Sequence, residues 1–67
     1  MWVWKGFKTE KQAKEFQKKN GGVLYYEKRS LKTKKLTYIG KEYLMIAMAA
    51  GFNKELNPYI VTWRERG

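Results

Sequence analysis

Cysteine and histidine are both missing from this 67-residue chain, and serine and proline occur once each, at Ser30 and Pro58. Without cysteine there is no disulfide framework, no thiolate zinc site and no thiol nucleophile. A short chain of this kind suits a reducing cytoplasm. Without histidine the chain lacks the side chain that titrates near neutrality unaided. Ser30 therefore has no base to activate it, which excludes Ser-His-Asp chemistry. The six carboxylates, at positions 10, 15, 27, 42, 55 and 65, are scattered among cations. Glu10 with Lys14, and Glu15 with Lys19, have the spacing of ordinary helix-surface pairs rather than of an acid–base site or a metal cage. These absences predict a chain that is not an enzyme and holds no metal or cofactor.

Long apolar runs are missing too. The longest, Tyr43 to Ala50, has eight residues, against the roughly 20 needed to cross a bilayer. The N-terminal Met-Trp-Val-Trp-Lys-Gly-Phe has neither the apolar stretch nor the cleavage site of a signal peptide. A soluble, cytoplasmic protein without a membrane partner is expected. Gly21-Gly22 reads as a helix stop, and Gly40-Lys41 lacks the rest of a phosphate-binding loop.

Aromatic residues and positive charge are plentiful. Three Trp, five Tyr and three Phe make up 16% of the chain, enough apolar surface to argue against disorder. Fifteen Lys and Arg against six Glu give a net charge of +9. A compact domain of this mass has about 4,500 Å² of surface, so roughly one net positive charge per 500 Å². Such a surface attracts polyanions, or serves solubility.

Turn residues at Gly6, Asn20-Gly21-Gly22, Gly40, Gly51 and Asn57-Pro58 divide one domain, residues 1–67, into six pieces. Residues 2–7 read as a strand. Thr9 offers an N-cap to a helix running to about Lys19, with Asn20-Gly21 as its stop. Ala13 and Phe16 form that helix's apolar side, and Lys11, Lys14 and Lys18 lie opposite. Residues 22–28 and 35–39 read as two strands of a β-hairpin. Gly40 can cap a second helix over Tyr43–Ala50, ended by Gly51 and apolar nearly all round. Residues 59–64 form the last strand. The order β-α-β-β-α-β predicts an α+β fold with two helices on one face of a four-stranded antiparallel sheet, as in ferredoxin-like domains. Phe16, Leu44, Ile46 or Ala47, and Val61 are the expected core.

Four features could carry function. The hairpin Lys28-Arg29-Ser30-Leu31-Lys32-Thr33-Lys34-Lys35 puts five cations in eight residues, suited to following phosphates or to guarding strand edges. Lys11, Lys14 and Lys18 form a second stripe, equally what any surface helix needs. Aromatics on an open sheet face could stack bases. By alternation the open face would carry Val3, Lys5 and Phe7 with Ile60, Thr62 and Arg64, leaving Phe7 as its one aromatic, and no RNA-recognition signature is present. The apolar second helix, if the sheet cannot cover Met45 and Ala49, would need a partner or a second copy.

The segments Gly21-Gly22-x3-Tyr26-Glu27-Lys28-Arg29, Gly40-Lys41-Glu42-Tyr43 and Pro58-Tyr59-x-Val61-x-Trp63 resemble those of small uncharacterised proteins of Gram-positive conjugative transposons and prophages. The resemblance implies a bacterial cytoplasmic protein of a mobile element, and brings no activity or site residues. The residues themselves point to an accessory module binding DNA or RNA through phosphates, with Lys28, Arg29, Lys32, Lys34 and Lys35 foremost and Lys11, Lys14 and Lys18 next. The alternative is a protein-interaction module, dimeric or bound to an acidic protein.

Overall fold

The computed structural model describes residues 1–65. Strand β1 spans Trp2–Phe7 and helix α1 Glu10–Asn20; strand β2 covers Val23–Tyr26, helix α2 Tyr38–Ala50 and strand β3 Tyr59–Arg64. The fold is α+β, with two helices and a three-stranded antiparallel sheet in the order β1-β3-β2. Both outer strands run against β3, so β1 and β2 end at the same side of the sheet, each opposite Tyr59.

Local sequence explains most of the boundaries. The Thr9 hydroxyl accepts the Gln12 N–H at 3.2 Å and starts α1, while Glu10 sits in its first turn beside the positive end of the helix dipole. Gly21, at φ 73°, ends it, and its N–H returns to the Gln17 carbonyl. Gly51, at φ 74° and ψ 27°, ends α2 in the left-handed helical conformation.

The third predicted strand does not form. Residues 35–39 instead close a loop and begin α2. Thr37, not Gly40, is the N-cap: its hydroxyl accepts the Gly40 N–H at 3.3 Å and donates to the Lys28 carbonyl at 3.0 Å. A five-residue stretch has few ladder bonds to offer, whereas extending a Leu-, Met- and Ala-rich helix back to a good cap adds a full turn. The predicted hairpin survives as a pinched loop with one bridge, Arg29 to Leu36. The Ser30 N–H bonds the Lys35 carbonyl and the Lys34 N–H bonds the Ser30 carbonyl, closing a turn in which Lys34 takes φ 61°.

The helices lie on opposite faces, not on one. The register sets Val3 opposite Trp63, Lys5 opposite Val61 and Phe7 opposite Tyr59, so these residues share one face with Leu24 and Tyr26. Helix α1 covers it: the Phe16 ring stands 5.1 Å from Phe7 and 4.8 Å, edge-on, from Trp63. The other face carries Trp2, Trp4, Val23, Tyr25, Ile60 and Thr62, and there Ile46 of α2 lines a shallow cleft together with Trp2, Trp4, Val23 and Tyr25. Alternation within each strand was correctly expected; which sets combine across strands is decided by register, and Val3, Lys5 and Phe7 join Val61 rather than Ile60.

The core is small. Ala13 and Val61 are buried under α1, and Tyr43 and Ile60 on the α2 side. The Tyr43 hydroxyl donates to the Asn57 carbonyl at 3.0 Å, tying α2 to the entry of β3. Phe16, Ile46 and Ala47 are half-buried, and Leu44, expected inside, is 37% exposed. Among the described residues no helix is long and apolar enough to cross a membrane.

Candidate nucleic-acid interface

An open groove of about 950 Å³ runs between the β1 edge, α1 and the segment before β3. Lys5 and Phe7 come from β1, and Lys8 from the turn that follows it. Glu15, Phe16, Lys18 and Lys19 come from α1, and Leu56 and Asn57 close the far side. Four ammonium groups thus meet one carboxylate around an aromatic floor. Lys5 Nζ stands 5.6 Å from the Phe7 ring centre and 5.4 Å from that of Phe16, within cation–π range of both. That contact leans the Lys5 chain over the floor from an exposed edge strand, leaving its ammonium open to an anion.

The predicted cations divide by what they already bond. Lys18 joins the groove. Lys14 is paired with Glu10 at 2.6 Å, and that carboxylate holds its ammonium above the ordinary lysine range. Lys11 lies on the outward side of α1 and is exposed. Arg29 is engaged in building the loop: it donates to Glu27 at 2.8 Å and to the Lys34 carbonyl at 3.2 Å. Glu27 also receives Lys54, and hydrogen bonds from Lys54 and Arg29 hold its carboxyl below the usual range. Lys28, Lys32, Lys34 and Lys35 are exposed on the loop. Lys28 is the loop's anchor through its backbone, whose carbonyl accepts from both the Thr37 N–H and hydroxyl.

Topology brings the two basic sets to one end of the sheet. Lys8 leaves β1, and Lys28 follows β2, on either side of the start of β3. The strand ends they follow, Phe7 and Tyr26, are two strand spacings apart, about 10 Å. Lys5, Lys8 and Lys19 were not singled out from the sequence. The signal for Lys5 was present in the alternation of β1, but only the packing of α1 beside that strand gathers Lys8 and Lys19 with it.

Aromatic residues of the α1 face are engaged with one another. Tyr26 and Tyr59 stack at 5.8 Å, and Phe7, Phe16 and Trp63 form one cluster. Of the open aromatics, Trp2 and Trp4 stand on the α2 face, away from the basic groove, and Tyr38 begins α2 next to the basic loop. Among the described residues no group of three or more metal-ligating side chains is assembled.

No protein-family model, curated protein or solved structure matches the chain.

Proposed function

We propose that this domain binds nucleic acid through backbone phosphates, with little sequence preference and without catalysis. The observation that carries the reading is the groove lined by Lys5, Lys8, Lys18 and Lys19, in which four cations face one carboxylate. The loop cations Lys28, Lys32, Lys34 and Lys35 extend the positive surface from the same end of the sheet. Lysine acts here as a point charge on a flexible stem and suits phosphates met in varied geometry; the bidentate reading of guanine belongs to arginine. Arg29, engaged with Glu27 and the Lys34 carbonyl, is not free for that reading. The setting that goes with this proposal is the one the sequence resemblance implies, a cytoplasmic accessory protein of a Gram-positive mobile element.

Titration of labelled single- and double-stranded oligonucleotides over rising salt tests the proposal. With four to six phosphates neutralised, log K falls against log salt with a slope of roughly −3 to −5. Replacing Lys8→Glu together with Lys19→Glu weakens binding to all sequences alike and flattens the slope by about 1.5 to 2. The pair Lys32→Glu and Lys34→Glu reports on the loop in the same way. A large loss from the loop pair and none from the groove pair would move the interface to the loop. No binding at about 50 mM salt, where a strongly cationic protein has every electrostatic advantage, refutes the reading.

A further inference from the structure

Helix α2 presents apolar residues on both its sides. Tyr43, Gly40 and Ile46 face the sheet and the loop, while Leu44, Met45 and Met48 face outward with Lys41 as the charge among them. Met45 is 65% exposed and Met48 85%. On the sheet beside α2, Trp2 is 58% and Trp4 46% exposed, together equivalent to about one whole tryptophan surface, roughly 250 Å². A shallow cleft of about 250 Å³ lined by Trp2, Trp4, Val23, Tyr25, Ile46 and Thr62 joins the strand residues to the helix. The exposed parts of Trp2, Trp4, Met45 and Met48 thus leave apolar side chain uncovered on both the strand and the helix that border this cleft.

We propose that this face is closed by a second copy of the chain, in a two-fold dimer with α2 and the Trp2–Trp4 strand at its centre. The area agrees with such an occupant. The chain exposes 5364 Å², about 900 Å² more than the ~4,500 Å² of a compact protein of its mass. A standard interface takes about 800 Å² from each partner. The radius of gyration, 11.9 Å, likewise exceeds the roughly 11 Å of a compact chain of this length. Among the described residues four hydrophobic side chains are fully buried, Ala13, Tyr43, Ile60 and Val61, and the dimer interface would supply further apolar burial.

A two-fold arrangement also accommodates the charges of the chain. Lys41 on α2 and Arg64, the register partner of Trp2, are cations beside the exposed apolar residues. Lys5, Lys8 and Lys19 lie with α1 on the opposite face of the sheet. A second copy seated on the α2 face keeps both basic grooves outward. In an antiparallel α2 pair, Lys41 of one copy falls beside the C-terminal end of the other copy's helix, where a cation is favourable.

Sedimentation from micromolar to near-millimolar protein tests the dimer, with twice the 8.0 kDa chain mass as the expected outcome. Two copies of charge +9 repel, so screening favours association and added salt tightens the dimer. Salt weakens nucleic-acid binding, so the two proposals fail or hold independently. Met48→Glu raises the dissociation constant at least tenfold, whereas Leu31→Glu, on the exposed tip of the loop, leaves it unchanged; circular dichroism of both variants confirms the fold. Equal weakening by both variants places the association elsewhere and overturns the proposal. So does a folded chain that remains monomeric at high salt and near-millimolar concentration. A monomer whose tryptophan emission shifts to the blue on anionic vesicles makes the face a membrane contact instead.

Discussion

Replacing Gly40→Ala sets two effects of opposite sign against each other. Gly40 lies inside α2, where exchanging glycine for alanine ordinarily stabilises a helix by about 1 kcal/mol. In this fold, however, a Cβ at position 40 would stand 2.5 Å from the Lys28 carbonyl oxygen, 2.9 Å from Leu36 Cδ2 and 3.1 Å from the Lys28 backbone nitrogen. Two of those three atoms belong to backbone held in place: the Lys28 carbonyl already accepts from the Thr37 N–H at 2.9 Å and from the Thr37 hydroxyl at 3.0 Å. The loop must move or the helix must shift, and overpacking of this kind costs about 1–3 kcal/mol. The hydrogen bonds strained with it add about 1 kcal/mol. The steric term exceeds the propensity gain, and a net loss of about 1–3 kcal/mol follows. Chemical denaturation monitored by far-ultraviolet circular dichroism reads it directly. Amide exchange should also speed up at Ser30 and Lys34, whose N–H groups close the basic loop. A Gly40→Ala protein more stable than the parent would refute the reasoning, because propensity would then be acting unopposed and the loop would not be seated on α2.

Two further outcomes test the packing and the electrostatics. Tyr43→Phe removes the donor to the Asn57 carbonyl while keeping the buried ring, and should cost about 1 kcal/mol, or about 4–8 °C in Tm for a domain of this size; an unchanged Tm would mean that α2 is not tied to the β3 entry. Glu27 bonds Lys54 and Arg29, so its carboxyl pKa is lower folded than unfolded. Its contribution is therefore present above the ordinary carboxylate pKa and is lost as pH falls through the lower folded value. Glu27→Gln should accordingly lower Tm at neutral pH, with the difference from the parent shrinking in acid; a difference that grows in acid would contradict the pairing.

The limits of α1, β1 and β3 could be read along the chain because each is set by near neighbours. Thr9 caps its own third successor, Gly21 stops its own helix, and runs of β-forming residues mark 2–7 and 59–64. The start of α2 could not be read in this way. Lys35 to Ile39 carries β-forming residues, and what decides against a strand is the Thr37 hydroxyl bridging to Gly40 and to Lys28, nine residues earlier. The loop cations were visible as a run of charge, and Lys18 as one of a stripe. Their division into bonded and open groups was not, since Glu27 captures Arg29 and Lys54 only once the chain has turned.

The absence of histidine and cysteine, the excess of lysine and the all-round apolar character of residues 43–50 belong to the sequence itself, because composition and short-range periodicity need no partner to be read. That composition set the exclusions and named the helix that would lack cover. Register belongs to the tertiary structure. Pairing Lys5 with Val61, and not with Ile60, puts Lys5 on the α1 face beside Lys19, while Trp2 and Trp4 turn to the α2 face. A strand alternates about its own axis whatever its neighbour does. Only pairing across β3 decides which halves of two strands look the same way, and so which cations share a groove and which aromatics are left uncovered.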